Sequence, residues 1–397
     1  MSDRPLDYHA LGVHPAVNAN GKMTALGGSR LSAATIAAMG AAARDHVVMD
    51  ELMTAVGHEL AAAAGTEDAC PTTGAASGVA LAVAALVAGA DPARIERLPD
   101  PGDRPCEVVL PKGHAVNFGA PVAQMIALGG GTPVEAGAVN KVRAAHLEGA
   151  IGARTAALLY VQSHHAVQKG AVSLAETVAV GRAHGVPVIV DAAAEEDLRK
   201  WPATGADLVV YSGGKAIGGP TSGFVCGPAP LIAAVRAQYT GIGRPMKVGK
   251  ETLLGLAQAV REYGAGAAAS GDEDEDAGAG ADGGARARME RLAGRLGALR
   301  GLSARVVRDE AGREIFRAEL TVDPERAGRD AAGLAVELAA GTRPVFLRDH
   351  HAAAGRLAVD PRALSAEEEE HLAHRLTELL GGAAAGDDDT TNGRNSE

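Results

Sequence analysis

Two short runs of apolar and β-branched residues near the middle of the chain predict two neighbouring strands, Pro187–Val190 and Asp207–Tyr211. The residues between them predict a short helix. Each run is followed by polar residues: Asp191 comes after the first, and the glycine-rich turn Ser212–Lys215 comes after the second. Because ligands of parallel α/β sheets bind beyond the carboxyl ends of the strands, the pattern brings a carboxylate and an amine into one crevice.

Strands and helices alternate through the first 263 residues. Helical periodicity runs from Ser32 to Ala64, and a long Ala-Val-Leu helix opens from the turn TTGAASG at 72–78. Further strands are predicted at 106–111, 156–161 and 223–227, and further helices at 121–130, 173–185, 230–239 and 250–263. This alternation is typical of an α/β domain with a mostly parallel sheet.

The periodicity stops at 264–287, where glycine, alanine and a block of acids predict disorder. From Met289 the pattern is that of a small α+β domain, with strands at 304–308, 314–322 and 344–347 and helices at 330–340 and 365–380. We therefore predict an N-terminal segment (1–45), a large domain (46–263), a disordered acidic linker (264–287), a small C-terminal domain (288–381) and a disordered tail (382–397).

Charge and cysteine content narrow the function classes. The 397 residues carry a net charge of −11, which disfavours binding along a nucleic-acid backbone. The three cysteines lie far apart, which fits neither a disulfide framework nor a zinc site and favours a reducing cytoplasm. The N-terminus lacks the pattern of a signal peptide. The longest apolar run, Gly78–Ala90, is shorter than the roughly 20 residues that span a membrane.

Asp191 and Lys215 together suit pyridoxal 5'-phosphate. A lysine amine forms a Schiff base with the cofactor aldehyde, and a carboxylate keeps the pyridine nitrogen protonated, so that the ring can accept electrons from the Cα of the substrate. Taken singly, Asp191 also fits a helix cap and Lys215 a surface lysine in a glycine turn. Because the two residues end neighbouring predicted strands, we interpret them as one cofactor site.

Two further segments are candidates for binding anions. Thr73, Gly74 and Ala75 precede a helix whose first N–H groups and positive dipole end suit a phosphate, although such turns are often plain connections. Arg244 and Lys247 lie between glycines ahead of another helix and suit a substrate anion, although a solvated basic loop is an equal interpretation. The neighbouring His164 and His165 point to opposite faces of an extended segment, so they do not share one metal.

The segment DLVVYSGGKAIGGPTSGFVCG (207–227) resembles the lysine segment of a fold-type I pyridoxal phosphate family that contains selenocysteine synthase and D-glucosaminate-6-phosphate ammonia-lyase. The similarity runs from about Asn18 to about Leu380. It has six anchors in order: NANGKMTALGGSR (18–30), TTGAASG (72–78), QSHHAVQKG (162–170), VIVDAAAEEDL (188–198), YSGGK (211–215) and RPVFLRDHHAAAGRLAVDPR (343–362). The resemblance implies an aspartate aminotransferase-like large domain, a small α+β domain and at least a homodimer.

Within this family, the turn 73–75 forms the phosphate cup, and Ser212, Lys215 and Asp191 line the cofactor site. The resemblance implies that His114 stacks on the cofactor ring, where the alternative is a structural hydrogen bond. It also implies that the loop at 162–165 reaches the ring hydroxyl and the substrate, through His165 first and His164 second. For these two histidines, the alternative role is to cap the helix that starts after Ser173.

The resemblance also implies substrate contacts. Arg348 of the small domain occupies the position of the arginine that binds a carboxylate, with Arg343 as the alternative. Lys247 is the preferred ligand of a second anion, followed by Arg244. Thr24 and Ser29 of the N-terminal segment are further candidate substrate contacts.

We therefore predict a lyase that removes a β-substituent from a β-hydroxy or similar amino acid, such as an amino-sugar acid, and releases ammonia and a 2-oxo acid. The alternatives are a transferase acting on seryl-tRNA, a racemase or aldolase, and a non-catalytic binding protein with the same fold. A free small amino acid is the expected substrate. The chain is acidic, and it begins almost directly at the segment that starts with Asn18, whereas selenocysteine synthases carry an additional N-terminal domain that holds tRNA.

Overall fold

The structure is a computed structural model that describes residues 6–163, 165–265, 281–309 and 315–381, with the backbone alone at 281–283. The chain divides into two compact units. The large unit is Gly27–Gly271, and the small unit combines Met1–Leu26 with Asp272–Glu397. The predicted N-terminal segment 1–45 is thus divided between the units, because its strand pairs within the small unit and its helix packs within the large unit.

The elements follow in chain order. The strands in the described residues are β1 (Val17–Ala19), β2 (Asp68–Thr72), β3 (Glu107–Pro111), β4 (Thr132–Ala136), β5 (Thr155–Val161), β6 (Val188–Asp191), β7 (Leu208–Ser212), β8 (Gly223–Gly227), β9 (Leu302–Arg308), β10 (Phe316–Val322), β11 (Val345–Leu347) and β12 (Arg356–Val359). The helices are α1 (Ala33–Arg44), α2 (Met49–Ala64), α3 (Ala75–Ala88), α4 (Pro92–Arg97), α5 (Val122–Leu128), α6 (Ala144–Ala150), α7 (Leu174–His184), α8 (Ala229–Ala237), α9 (Lys250–Gly264), α10 (Ala281–Gly297), α11 (Pro324–Ala327), α12 (Ala331–Leu338) and α13 (Ala366–Leu380).

A seven-stranded sheet organises the large unit, in the order β2-β8-β7-β6-β5-β3-β4. Strands β7, β6, β5, β3 and β4 pair in parallel, whereas β8 is antiparallel to both of its neighbours. The central strands are continuous apolar runs because helices cover both faces of such a sheet. The predicted α/β class with a mostly parallel sheet is confirmed.

Helix α3 packs closely on this sheet because its residues are small. Its alanines and valines from Val79 to Ala88 are almost entirely buried. A Cβ atom at Gly78 would lie 2.6 Å from Val210 Cγ1 of β7, so only glycine lets the first turn of the helix come this close. The close packing sets the N-terminus of α3 beside the carboxyl end of β7.

Two helix predictions in the large unit are wrong in detail. The short helix between the two central strands is a 3-10 turn, Pro202–Thr204, and no α-helix forms there in the described residues. Asp191 and Asp197 accept hydrogen bonds from backbone N–H groups two or three residues ahead, and such side-chain turns compete with an α-helix. The predicted helix Ser32–Ala64 is two helices, α1 and α2, separated at Asp45, whose backbone is extended.

The small unit contains a three-stranded antiparallel sheet, β12-β10-β9, and a parallel pair, β1-β11. Helix α10 covers the sheet with Met289, Leu292 and Leu296, which are buried at helical spacing. Because α10 begins at Ala281, the predicted disorder of 264–287 is wrong for 281–287. Residues 266–280 and the predicted tail 382–397 lie outside the described residues. No helix in the described ranges has the length and apolar character needed to cross a membrane.

Candidate active site

The carboxyl ends of the central strands bring the predicted site residues of the large unit to one edge of the sheet. Gly223, at the start of β8, lies opposite both Thr72 of β2 and Ser212 of β7. One strand further along, Asp191 at the end of β6 lies opposite Val161 of β5. Asp191 and the turn that carries Lys215 therefore follow adjacent parallel strands, as the sequence predicts.

Asp191 is a buried carboxylate, with 5% of its surface exposed. Its Oδ1 accepts a hydrogen bond of 3.1 Å from the N–H of Ala193. Burial raises the pKa of Asp191, while the Ala193 N–H and the positive charge of Lys215 oppose that shift. The carboxylate is thus costly to ionise here until a cation lies beside it.

The turn after β7 presents Lys215, which is half-buried. Backbone hydrogen bonds hold the turn: Gly213 N–H donates to Ser222 O (2.8 Å), and Gly218 N–H donates to Lys215 O (3.1 Å). Gly213 has no room for a side chain, because a Cβ atom would lie 2.2 Å from Ser222 Oγ and 2.8 Å from Leu256 Cδ1. These contacts explain the glycine at position 213.

The start of α3 has the backbone groups that suit an anion. Its first N–H groups have no partner within the helix, and they point out at the positive end of the helix dipole. Gly223 packs directly against this turn, since a Cβ atom there would lie 2.7 Å from Gly74 C and 2.9 Å from Ala75 N. The hydroxyl of Thr73 donates to Ser77 Oγ (3.0 Å), which donates to Gly74 O (2.7 Å). Sequence reasoning missed Ser77, although its hydroxyl lies in the first turn of this helix.

His114 lies in a 3-10 turn after β3 and is 2% exposed. Its Nδ1 accepts a 3.1 Å hydrogen bond from the N–H of Val161, the residue opposite Asp191. The neutral ring therefore carries its proton on Nε2. The rings of His114 and Tyr160 lie in a T-shaped arrangement, with their centroids 4.5 Å apart. Burial lowers the pKa of His114 to about 4. His114 is held in one orientation, close to the end of β5.

The lowered pKa of His114 predicts a pH-dependent stability. Between pH 6.5 and about 4, the unfolded chain binds a proton at this position and the folded protein does not. The free energy of unfolding should therefore fall as the pH drops through this window, and His114→Asn should reduce the slope. Urea unfolding across the window measures both slopes, with the exposed His184→Asn as control. Equal slopes for His114→Asn and the wild type would contradict the prediction.

The remaining candidates of the large unit lie at its surface. His165 is exposed, and its backbone N–H donates to Ser163 Oγ at 3.2 Å. Lys247 and Arg244 are exposed at the 3-10 turn Arg244–Met246. His164 lies outside the described residues. Their predicted roles stay predictions.

Arg348 and Thr24 belong to the small unit, where Thr24 is exposed in a short 3-10 turn. Arg348 is half-buried, and its Nη2 lies 2.6 Å from His350 Nε2. Burial and the nearby charge of Arg317 lower the pKa of Arg348. Arg343, the alternative, is engaged with Glu367 at 2.9 Å. Of the two arginines, Arg348 is the one crowded by like charge, which suits a ligand anion.

The first and last sequence anchors meet in the small unit. Strand β1 pairs in parallel with β11, so that Ala19 lies opposite Leu347. Gly21 follows with a positive φ of 93°, and a Cβ atom there would lie 3.0 Å from Asp360 Oδ2. Asp360 is fully buried and binds Arg317 and Arg362. Sequence reasoning missed this cluster, and its one local signal was the DPR at the end of the last anchor.

Comparison with known proteins identifies the family to which this chain belongs. The model for SelA, L-seryl-tRNA selenium transferase, matches residues 52–271, which is more than half of the chain. The chain belongs to the SelA family. The resemblance stated from the six anchors is therefore confirmed.

Two relatives match this SelA-family protein along nearly its whole length. The 5'-C-glycyluridine monooxygenase-decarboxylase of a Streptomyces species is 56% identical over 97% of this chain and 95% of its own length. The D-glucosaminate-6-phosphate ammonia lyase of Salmonella typhimurium is 40% identical over 96% of this chain and 99% of its own length. Both relatives are enzymes.

Solved structures confirm the predicted fold. A structure of D-glucosaminate-6-phosphate ammonia-lyase has a TM-score of 0.86 and 40% identity, with 96% of this chain and 99% of that chain covered. An aspartate aminotransferase of Thermus thermophilus has a TM-score of 0.51 and 17% identity over 95% of this chain and 100% of that chain, which bears on the fold alone. The large unit therefore has the fold of the fold-type I pyridoxal phosphate enzymes.

Proposed function

We propose that this SelA-family protein binds pyridoxal 5'-phosphate at Lys215 and acts as an ammonia-lyase on an α-amino acid with a β-hydroxyl group. The observation that carries the proposal is the pairing of the buried Asp191 with Lys215 at one edge of the sheet. Burial makes the Asp191 carboxylate costly to ionise, and a protonated pyridine nitrogen beside it would reduce that cost.

The residues at this edge fit the cofactor. The N–H groups at Gly74 and Ala75, with the Thr73 hydroxyl, would hold the phosphate, and Lys215 would bind the aldehyde carbon. Ser212 and His165 remain candidates for further cofactor contacts. When bound, the cofactor supplies an electron sink for the bonds at the Cα of the substrate.

The side chains of the chain itself would move the protons. Once the amino group of the substrate replaces it on the aldehyde carbon, the Lys215 amine would be free to accept the proton from Cα, and the β-hydroxyl would leave as water. Addition of one water then gives the 2-oxo acid and ammonium, so that the net reaction converts the amino acid into these two products. His114, held neutral with its proton on Nε2, would act as a hydrogen-bond donor and not as a cation.

The proposed substrate class is inferred from the names of the two relatives. Glucosaminate and 5'-C-glycyluridine, from the relatives' names, are both α-amino acids with a hydroxyl on the adjacent carbon. The guanidinium of Arg348 would bind the α-carboxylate, since its planar fork matches a carboxylate. Lys247, Arg244, His164 and Thr24 stay candidate contacts for the rest of the substrate.

A second candidate function is oxygen-dependent decarboxylation. It is favoured by the 56% identity with the 5'-C-glycyluridine monooxygenase-decarboxylase. The same Lys215 and Asp191 would serve, but the bond broken at Cα would be the one to the carboxylate. Carbon dioxide would then be released, and oxygen would be consumed.

One substrate panel separates these functions. The protein loaded with pyridoxal phosphate is mixed with D- and L-β-hydroxy amino acids, amino-sugar acids with and without phosphate, and 5'-C-glycyluridine, while ammonia, 2-oxo acid, carbon dioxide and oxygen are measured. The lyase proposal predicts ammonia and 2-oxo acid in equal amounts without oxygen uptake. Carbon dioxide with oxygen uptake would favour the second candidate, and racemised substrate or a released aldehyde would favour a racemase or an aldolase.

A free small molecule remains the proposed substrate, because the charge of −11 disfavours a long contact with tRNA. Salt-sensitive binding to seryl-tRNA, without turnover of any free amino acid, would contradict this part of the proposal. The predicted cytoplasmic location stays a prediction.

We also propose that the protein is a homodimer or a larger homo-oligomer. Nine of the twelve residues of helix α1 are alanine, isoleucine or methionine, yet only Thr35 is buried, and a helix surface this apolar is normally covered. Ile36 is 58% exposed, and Val48 after the helix is 59% exposed.

The double variant Ile36→Glu with Val48→Asp should lower the oligomer's mass to that of the monomer in sedimentation. Val336→Glu, at a 71% exposed position of the small unit, is the control and should not change the mass.

A further inference from the structure

Ser29 is hydrogen-bonded to the turn that carries Lys215. Its Oγ lies 3.1 Å from the carbonyl oxygen of Gly214 and 3.3 Å from that of Lys215. A hydroxyl has a single proton, so these two carbonyls share one donor. The two carbonyls belong to the peptide planes on either side of the Lys215 Cα. A donor that holds both planes restricts φ and ψ of Lys215 itself.

The backbone before Ser29 is shaped for this contact. Gly27 and Gly28 both have positive φ angles, of 84° and 81°. A Cβ atom at Gly28 would lie 3.1 Å from the carbonyl oxygen of Gly214. Other residues are strained in this conformation, so the glycines allow the chain to approach the turn closely.

Two packed helices hold Ser29 in its position. Ser32, the N-cap of α1, donates to Glu262 of α9 at 2.7 Å. Gly255 of α9 lets Met39 of α1 approach, since a Cβ atom there would lie 2.7 Å from Met39 Cγ. The same helix reaches the lysine turn, where Leu256 packs on Gly213. Ser29 and the turn thus rest on a common support.

We propose that Ser29 is a positioning residue for Lys215, which orients the lysine amine for attachment of the cofactor. The proposal rests on the proposed function, because it concerns the same site. It assigns to Ser29 a role distinct from the substrate contact that the sequence suggested. The hydroxyl would act on the backbone of the turn and would touch neither substrate nor cofactor.

Three variants test this role. Ser29→Ala removes the donor, and Ser29→Thr keeps it. Ser365→Ala is the matched control, because it removes a serine hydroxyl that caps α13 of the small unit. For each purified protein, pyridoxal phosphate is titrated into the apoprotein, and the visible absorption of the bound cofactor is followed against pH. The melting temperature of each apoprotein reports its structural integrity.

Loss of one shared hydrogen bond should raise the dissociation constant of pyridoxal phosphate roughly 3- to 10-fold in Ser29→Ala. The pH midpoint of the absorption change should also shift, because the lysine amine is less well oriented. Ser29→Thr should remain within about 2-fold of the wild type. Ser365→Ala should lower the melting temperature through loss of a helix cap, without changing the dissociation constant or the midpoint.

The outcomes separate the two proposals. A wild type that binds no pyridoxal phosphate would overturn the proposed function, and this role with it. A wild type that binds it, with an unchanged dissociation constant and midpoint in Ser29→Ala, would overturn the role of Ser29 alone. So would an equal change in Ser365→Ala, since the effect would then follow from a general loss of stability.

Discussion

Replacing Lys215 by alanine should lower turnover at least about 10³-fold, because both the attachment point of the cofactor and the proposed base at Cα are lost. The fold should tolerate the change. Backbone hydrogen bonds at Gly213 and Gly218 hold the turn, and the side chain of Lys215 is only half-buried. Steady-state kinetics with the best substrate of the panel, together with the melting temperature, measure the two effects.

Lys200→Ala is the matched control. Lys200 is an exposed lysine in the connection between β6 and β7, with its ammonium 4.7 Å from the Trp201 ring centre. This variant should retain activity close to that of the wild type. A loss of less than about 10-fold in Lys215→Ala would contradict the assignment of Lys215 as proposed base.

Replacing Asp360 by asparagine should destabilise the protein by about 3–5 kcal/mol, because it deprives a buried arginine of one of its counter-charges. Asp360 is fully buried and accepts hydrogen bonds from Arg317 Nε (2.9 Å) and from Arg362 Nε and Nη2 (both 2.9 Å). Arg317 is only 4% exposed, and it also donates to Asp309 at 2.7 Å. Urea unfolding followed by far-UV circular dichroism measures the loss.

The same cluster makes the stability of the small unit depend on pH in the acid range. Burial alone would raise the pKa of Asp360, but the hydrogen bonds and charges of Arg362 and Arg317 hold it well below its usual range. The ion pairs therefore stabilise the fold above the unfolded pKa of about 3.9, and this contribution is lost as the pH falls toward the folded pKa. The difference in stability between the wild type and Asp360→Asn should shrink below about pH 4.

Glu367→Gln is the control for Asp360. Glu367 is an exposed acid paired with Arg343 at 2.9 Å, and such surface pairs contribute little. This variant should therefore unfold at nearly the same urea concentration as the wild type. Equal unfolding of Asp360→Asn and Glu367→Gln would contradict the inference that the buried cluster supports the small unit.

The sequence predicts the edge of the central sheet well because its signals there are local. Strands β6 and β7 are short apolar runs ended by polar residues, and the adjacent pairing of parallel strands brings their ends together. Gly213 in the turn before Lys215 and Gly78 in the first turn of α3 have no room for a side chain. The sequence alone is therefore enough to predict that Asp191 and the turn with Lys215 follow adjacent strands.

Other contacts join residues that lie far apart in the chain, and these leave no local pattern. The pairing of β1 with β11 joins residues more than 300 positions apart, so the sequence does not predict that Gly21 packs on Asp360. The contact of Ser29 with Gly214 spans 185 positions and is hidden for the same reason. The 3-10 turn that replaces an α-helix after β6 reflects a local competition, in which the side chains of Asp191 and Asp197 form turns in place of helical hydrogen bonds.

Attachment of pyridoxal phosphate to Lys215 underlies every functional proposal above, and borohydride reduction probes that bond itself. Purified protein loaded with the cofactor is reduced, digested and analysed by mass spectrometry, with unreduced protein as the control. We expect a pyridoxyl group on Lys215, in the peptide from Trp201 to Arg236, because the modified lysine resists trypsin. A label on another lysine, or no label in a correctly folded protein, would show that Lys215 does not carry the cofactor.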